Sequence, residues 1–454
     1  MGFVPPPLLL RFVQGMPEIS AIQTLKLRAR GLYEIATGRG QYSAQERNIG
    51  LLYLDIIAAS VLSAAASFNG AFALRLGASN FLIGVMNSLP ALVTMLGMVP
   101  ASGLLESRTR RWALMLRSLL VTRILFLPFC LIPWLVPAPW RALAFVLLVS
   151  VRFVTVLPFA AGFDSVLAEV VTPNLRAQVF SWRNILATGT VVVFLALARP
   201  WLQRAPFPAN YALVYALGGL AGMVSYHFVA QLSVPEFQPA LPAGRTGWAA
   251  SINMAREALR TEREYRRFAV NSLLGSVGAY LASPLYVILY VKGLGASDGW
   301  IATSTLLANL AAMVGFYLFR RLLPRVGESL CVKVLWPIIG LLPLAVGLLH
   351  SLDAILAVIF LHSLLAPGLN LSHYNILLEV CPRERRALYI STFSALANAL
   401  AFALPLAAVA LADVVGVRQV LISAGVLWVS SGLLFTVNPV RVPDTSRQGP
   451  APQR

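Results

Sequence analysis

The sequence is poor in charge, poor in lysine and nearly free of cysteine, and each shortage excludes something. Charged residues make up 12% of the 454, about half of the roughly one quarter that keeps a soluble globular protein's surface in water. Much of the surface therefore faces something other than water, and a soluble protein is excluded before any motif is read. Cys130, Cys331 and Cys381 stand alone, with no CxxC pair and no Cys/His cluster, so neither a disulfide framework nor a zinc site is supported. The four histidines are equally scattered (His227, His350, His362 and His373). No metal and no cofactor is expected. A Walker motif and a Gly-rich phosphate loop are both missing, which argues against nucleotide-driven chemistry. A membrane-embedded enzyme would need clustered His, Asp or Cys at one membrane face, and none is present. No cleavable signal peptide is expected, because the apolar run Leu8–Leu10 is too short and follows Pro5–Pro7. Met1-Gly2 lacks a Ser or Thr at position 6, so no myristoyl anchor is expected.

What the chain has in abundance is apolar length. Hydrophobic residues reach 58% and mean hydropathy is +0.74. A helix needs about 20 apolar residues to cross roughly 30 Å of hydrocarbon. Measured against that length, the first half predicts spans at about 49–74, 80–104, 113–136, 142–168, 179–201 and 209–232. The second half predicts spans at about 268–291, 299–319, 330–350, 353–378, 388–411 and 418–438. The expected fold is thus all-α, a polytopic membrane protein with twelve transmembrane helices. Residues 1–48 read as a basic leader, 49–232 as a first six-helix bundle and 233–267 as a polar linker. Residues 268–439 read as a second bundle and 440–454 as a tail. The linker opens with Pro235, Pro239 and Pro242, and its second part, Trp248 to Arg267, reads as a surface helix.

The net charge of +18 would suit a nucleic-acid binder, but the cations sit elsewhere. With the N-terminus placed inside, twenty-five Lys and Arg fall on inside segments, six on outside loops and five within spans. That asymmetry is the positive-inside signature, and it requires an even number of spans with both termini cytoplasmic. It accounts for the charge without nucleic acid. Only three of the 36 basic residues are lysine, a bias typical of a GC-rich genome, so a bacterial cytoplasmic membrane is the expected location.

The two halves repeat. At an offset of 218, Leu76-Gly77-Ala78-Ser79 falls on Leu294-Gly295-Ala296-Ser297, Met95 on Met313 and Gly97 on Gly315. At an offset of 210, Glu169 through Arg176-Ala177 falls on Glu379 through Arg386-Ala387, each copy with an intervening Pro, and Ser181 falls on Ser391. Two halves of like orientation form a parallel repeat, an arrangement in which membrane carriers rock one half against the other.

On these residues the chain resembles the major facilitator superfamily over nearly everything past residue 48. The family's loop between its second and third helices reads Gly-x-x-x-Asp-Arg-x-Gly-Arg-Arg. This chain has Gly103-Leu-Leu-Glu106-Ser107-Arg108-Thr109-Arg110-Arg111, with Ser107 for the Asp. Glu379 through Ala387 is similar to the Glu-x-x-Pro-x-x-x-Arg-Gly signature that closes the tenth helix of sugar-porter-like members. The resemblance implies secondary active or facilitative transport of a small organic solute by alternating access, with no enzymatic activity. Within the same superfamily an exporter of drugs or other hydrophobic compounds is an alternative. A non-transporting receptor or assembly factor is another. The Gly-Pro motif that proton-antiporting drug exporters carry in the fifth helix is absent. Gly103, Arg108, Arg110, Arg111, Glu169, Arg176, Glu379 and Arg386 are the candidate cytoplasmic gate. An acid at a helix end and an Arg in the adjoining loop can pair while that face is closed, although the Args equally serve topology.

Charges inside spans cost at least ~2.5–3.5 kcal/mol each, so each needs a cavity or a partner. The resemblance implies that helices 1, 4, 7 and 10 line a central cavity. Asp55, Arg152 and Asp164 are therefore substrate or coupling candidates, joined by Asn271 and Tyr280 on the seventh span and His373 on the tenth. Arg152 lies where antiporters of the family carry a fourth-helix Arg within Leu-x-x-x-Arg-x-x-Gln-Gly. Leu148 matches, but Thr155 and Val156 replace the Gln and Gly. A structural Asp–Arg pair between packed helices is the competing reading. Arg117, Arg183 and Lys333, near helix ends, are expected to snorkel to the interface. Arg123 lies deeper, with no partner visible in the sequence. Basic residues within the spans outnumber Asp55 and Asp164, which points to an anionic substrate, with a coupling proton as a possible co-substrate.

Overall fold

The computed structural model describes residues 42–106, 110–234, 260, 262–381 and 386–440. The leader up to residue 41, Arg108, most of the linker with its expected surface helix, and the tail from residue 441 lie outside the described residues. Among those described, twelve helices are long and apolar enough to cross a membrane. They are built on α1 (Ala44–Ala66), α2 (Asn80–Glu106), α3 (Arg111–Ile124, whose span continues through the turn Leu127–Cys130), α4 (Arg141–Val170), α5 (Pro173–Arg204) and α6 (Ala209–Ala230). After the linker come α7 (Arg263–Ile288), α8 (Asp298–Val326), α9 (Glu328–Leu348), α10 (Leu352–Val380), α11 (Arg386–Val415) and α12 (Val417–Val437). A short helix, Asn69–Arg75, extends α1 after a turn.

Local chemistry sets several boundaries. Ser43 caps α1 in a capping box: its hydroxyl accepts from the Glu46 N–H while the Glu46 carboxylate accepts from the Ser43 N–H at 3.0 Å. The duplicated tetrapeptide folds the same way twice. Gly77 and Gly295 adopt φ of +90° and +64°, open to glycine without steric cost. The following Ala78 and Ala296 are buried, and Ser79 and Ser297 then accept from the N–H groups of Leu82 and Trp300. One repeated sequence thus supplies the turn that ends an odd-numbered helix and the cap that starts the next. The seventh helix begins at Arg263, five residues before its apolar stretch, because Arg263-Glu264-Tyr265-Arg266-Arg267 adds a polar first turn.

The chain forms two compact units. The first comprises the helices up to Asn69 and those from Leu96 through α6; the second comprises Gly70–Met95 and everything from α7 onward. In the first unit α1 packs on α5 and α6, and α3 on α4. Its core gathers Leu51, Leu52, Met115, Leu119, Val166 and Val229. Asn48 seals the linker-side end by exchanging two 3.0 Å hydrogen bonds with the backbone of Ser233. In the second unit α12 packs on α7 and α9, and α8 on α10, around Tyr265, Phe268, Trp336, Leu369 and Phe435.

The duplicated glycine marks equivalent helix crossings. A Cβ at Gly97 would meet Leu157 Cδ1 of α4 at 2.3 Å, and one at Gly315 would meet the Leu364 carbonyl oxygen of α10 at 2.2 Å. Small residues allow such close approach where lipid supplies no hydrophobic drive between helices.

A buried guanidinium cluster as candidate functional site

Inside the first unit four helices contribute to one polar chain. Asp55 of α1 is 5% exposed and accepts from the Ser225 hydroxyl of α6 at 2.7 Å through Oδ1. Its Oδ2 faces Arg183 Nη2 of α5 at 3.5 Å, and Arg183 Nη1 donates to the Leu52 carbonyl at 3.0 Å. Arg123 of α3 donates from Nη2 to the same Ser225 hydroxyl at 3.1 Å. One carboxylate therefore answers two guanidiniums, one directly and one through a serine.

This arrangement corrects the expectation for Arg183. It does not snorkel: it is 9% exposed and its guanidinium lies over the Phe163 ring, 5.4 Å from the centroid. The partner of Arg123 is the serine. Neither link has a sequence signal, since 128 residues separate Arg183 from Asp55 and 102 separate Arg123 from Ser225.

Arg152 of α4 stands apart from this chain. Its guanidinium carbon lies 4.9 Å from the centroid of Phe126. Arg152 Nη1 is buried with no hydrogen-bond partner, and so is Arg123 Nε. Native structures rarely leave buried polar atoms unpaired, so such groups call for an explanation. Asp164 lies twelve residues further along α4, about 18 Å of helix rise, and its side chain is outside the described residues.

Between Arg152 and Asp164 the helix contains Pro158, which can neither donate nor avoid crowding the preceding turn. Ser118 of α3 bonds to the helix backbone beside the proline. Its hydroxyl donates to the Thr155 carbonyl at 2.6 Å and accepts from the Phe159 N–H at 3.3 Å. Thr122 and Thr155 share a hydroxyl contact of 2.9 Å one turn away. These bonds tie α4 to α3 close to Arg152, the kind of re-satisfaction a proline within a membrane helix requires.

In the second unit His373 of α10 is held among rings: Phe268 at 4.7 Å, Trp336 at 5.2 Å and Phe393 at 5.8 Å between centroids. Its Nε2 lies 2.9 Å from the Ser272 hydroxyl of α7. Asn271 is buried and donates to the Asn438 carbonyl at 3.1 Å, tying α7 to the end of α12. Tyr280 lies on the same helix, half-buried.

Of the gate candidates, Arg111 at the start of α3 pairs with Glu169 at the end of α4, within the first unit. Arg176 Nε donates to the Val171 carbonyl at 3.1 Å, while Arg110 and Glu379 are exposed. Gly103 lies within α2 and Arg386 begins α11, and the side-chain surroundings of both are outside the described residues. Among the described residues no group of three or more His, Cys, Asp or Glu could hold a metal ion.

No protein-family model matches the chain, and no curated protein matches it in sequence. Solved structures do match in fold. A POT family transporter in complex with 5-aminolevulinic acid aligns over 86% of this chain and 96% of its own, with a TM-score of 0.66 at 12% identity. A bacterial homolog of the human lysosomal transporter Spinster, inward-facing and unoccupied, aligns over 88% and 97%, with a TM-score of 0.61 at 12% identity. The human organic anion transporter MFSD10 aligns over 87% and 100%, with a TM-score of 0.57 at 13% identity. The chain shares the fold of these transporter structures, and among the described residues twelve helices are long and apolar enough to cross a membrane.

Proposed function

We propose that this chain carries a small organic anion across the membrane by alternating access, with Arg152 as the contact for the anionic group. The observation that carries the reading is the buried, unpartnered Nη1 of Arg152, whose guanidinium lies over the Phe126 ring. Asp55 is already engaged by Arg183 and Ser225, and through the serine by Arg123, while Arg152 stands outside that chain. A carboxylate or phosphate entering beside Arg152 would complete the charge balance through a charge-assisted hydrogen bond.

Asp55 is then the counter-charge that positions Arg183 and, through Ser225, Arg123. The fold supports carriage of a solute over catalysis, since the matching structures are transporters. Asp55 and His373 are the candidates for a coupling proton. Coupling of that kind would make uptake rise with an inward proton gradient and collapse with a protonophore. The arginine asymmetry supports cytoplasmic termini in a bacterial cytoplasmic membrane.

The test is a ligand-stabilisation screen of the purified protein across organic anions, sugars, amino acids and hydrophobic cations. A ligand at a hundred times its dissociation constant adds about 2.7 kcal/mol to a reversible unfolding transition. Stabilisation confined to anions, and lost in Arg152→Met, is the expected result. Stabilisation by neutral or cationic compounds alone would overturn the anion reading.

A further inference from the structure

The two copies of the repeat differ sharply at one helix end. The offset of 218 carries α2 onto α8 without a gap as far as Gly103-Leu104-Leu105-Glu106-Ser107, which falls on Arg321-Leu322-Leu323-Pro324-Arg325. The register holds in the fold: Leu105 and Leu323 are both buried, while Leu104 and Leu322 are both exposed. Around that shared pair, Ser102, Gly103 and Ser107 of the first copy give way to Arg320, Arg321 and Arg325 in the second. The first copy keeps its cations for the positions that follow, Arg108, Arg110 and Arg111, where the second has Val326, Glu328 and Ser329. Arg320 therefore lies six residues, about 9 Å of helix rise, before the position equivalent to Arg108. Cations at the later positions would satisfy topology, so their place on the helix asks for another cause.

All three arginines are exposed, and among the described residues none has a hydrogen-bond or ion-pair partner. The Arg321 guanidinium carbon lies 4.6 Å from the centroid of the Tyr317 ring, which is itself 60% exposed. Tyr317, Arg321 and Arg325 share a helix face at four-residue spacing. Toward the middle of α8 the exposed side is apolar, with Met313, Val314, Phe316 and Leu318. Exposed Leu330 and Val334 continue that character at the start of α9, beside the half-buried Lys333. Two acids belong to the same end of the unit, Glu328 and Glu379, and Glu328 accepts from Asn375 Nδ2 at 3.4 Å. Four cations thus outnumber two acids.

We propose that this end of α8 holds the phosphate headgroup of an anionic phospholipid, with the acyl chains along the exposed apolar side chains of α8 and α9. Each guanidinium offers a planar fork that matches a phosphate, and the Tyr317 ring fixes the orientation of one of them. An apolar surface directly beside unpaired cations suits an amphiphile better than a free ion. A zwitterionic headgroup brings its own cation and gains less from the site. Because α7 follows the linker, α8 ends on the linker side of the membrane, and the lipid belongs to that leaflet.

The full chain, purified in detergent and stripped of lipid, is titrated with phosphatidylglycerol or phosphatidylcholine, and bound lipid is counted by native mass spectrometry. The parent binds phosphatidylglycerol about tenfold more tightly than phosphatidylcholine. Combined Arg320→Gln, Arg321→Gln and Arg325→Gln weaken phosphatidylglycerol on the order of a hundredfold and leave phosphatidylcholine unchanged. Lysine at the same three positions keeps the preference for the anionic lipid. Tyr317→Ala, which removes the ring and no charge, weakens it roughly threefold. Arg321→Gln alone weakens it roughly fivefold, so the test stands even if the triple variant does not fold. The control combines Arg260→Gln, Arg263→Gln and Arg266→Gln, which remove three exposed cations around the start of α7 on the same side, and it keeps the parent affinity. Equal affinity of the parent for the two lipids, unchanged affinity in the α8 variants, or an equal loss in the α7 control overturns the proposal. No transported solute enters the assay, so its outcome is separate from that of the anion reading.

Discussion

Removing the charge of Asp55 should cost stability, whereas removing that of Arg152 should cost binding. Asp55→Ala strands Arg183, which is 9% exposed, and leaves Arg123 facing a serine that no longer leads to a carboxylate. Breaking a buried pair from one side costs about 3–5 kcal/mol. Arg152→Met removes a guanidinium whose Nη1 has no partner, which relieves a desolvation penalty of about 1–3 kcal/mol. Against that stands the loss of its contact with Phe126, worth about 0.5–2 kcal/mol. The two terms nearly cancel, so stability should stay within about 1 kcal/mol of the parent. Binding should not. A hydrogen bond to a charged group is worth about 1.5–3 kcal/mol, so anion affinity should fall roughly ten- to hundredfold. Reversible unfolding in detergent, with and without a saturating organic anion, measures both quantities on the same samples. The reasoning is refuted if Arg152→Met is destabilised as much as Asp55→Ala while binding the anion like the parent.

Three further outcomes follow from the packing. Gly315→Ala should cost about 1–3 kcal/mol, because its Cβ would strike a backbone carbonyl, whereas Gly97→Ala meets only the tip of Leu157 and should cost less; paired unfolding curves check this. Ser118→Ala should cost about 0.6–1.7 kcal/mol by freeing the Thr155 carbonyl and the Phe159 N–H, and should speed amide exchange least at helices outside the first unit. Glu169→Gln should cost less than about 1 kcal/mol in unfolding measurements at low ionic strength and nothing measurable at 1 M salt, since the pair with Arg111 is partly solvated.

Features set by short-range rules were readable from the residues. Apolar length located all twelve helices, and the duplicated Leu-Gly-Ala-Ser turn and the pair Gly97 and Gly315 anticipated equivalent structure in both repeats. The start of α7 was misplaced because apolar length is blind to the polar first turn at Arg263–Arg267. The cluster around Asp55 was only half visible. Its carboxylate stands out as a charge in a span, but Ser225 is an ordinary residue of an apolar helix. Arg183, near a helix end, looks like a snorkelling residue until α1 is packed against it. Which cation is paired and which is left unpartnered is decided by tertiary packing. Arg152 therefore emerges as the distinctive group only in the folded unit.

The most direct test of anion carriage is counterflow in proteoliposomes loaded with an unlabelled organic anion identified by the stabilisation screen, with the radiolabelled anion outside. The account predicts transient accumulation of label that is abolished by Arg152→Met in protein that remains folded. Counterflow that persists unchanged in that variant, or that occurs with a neutral solute and never with an anion, would contradict it.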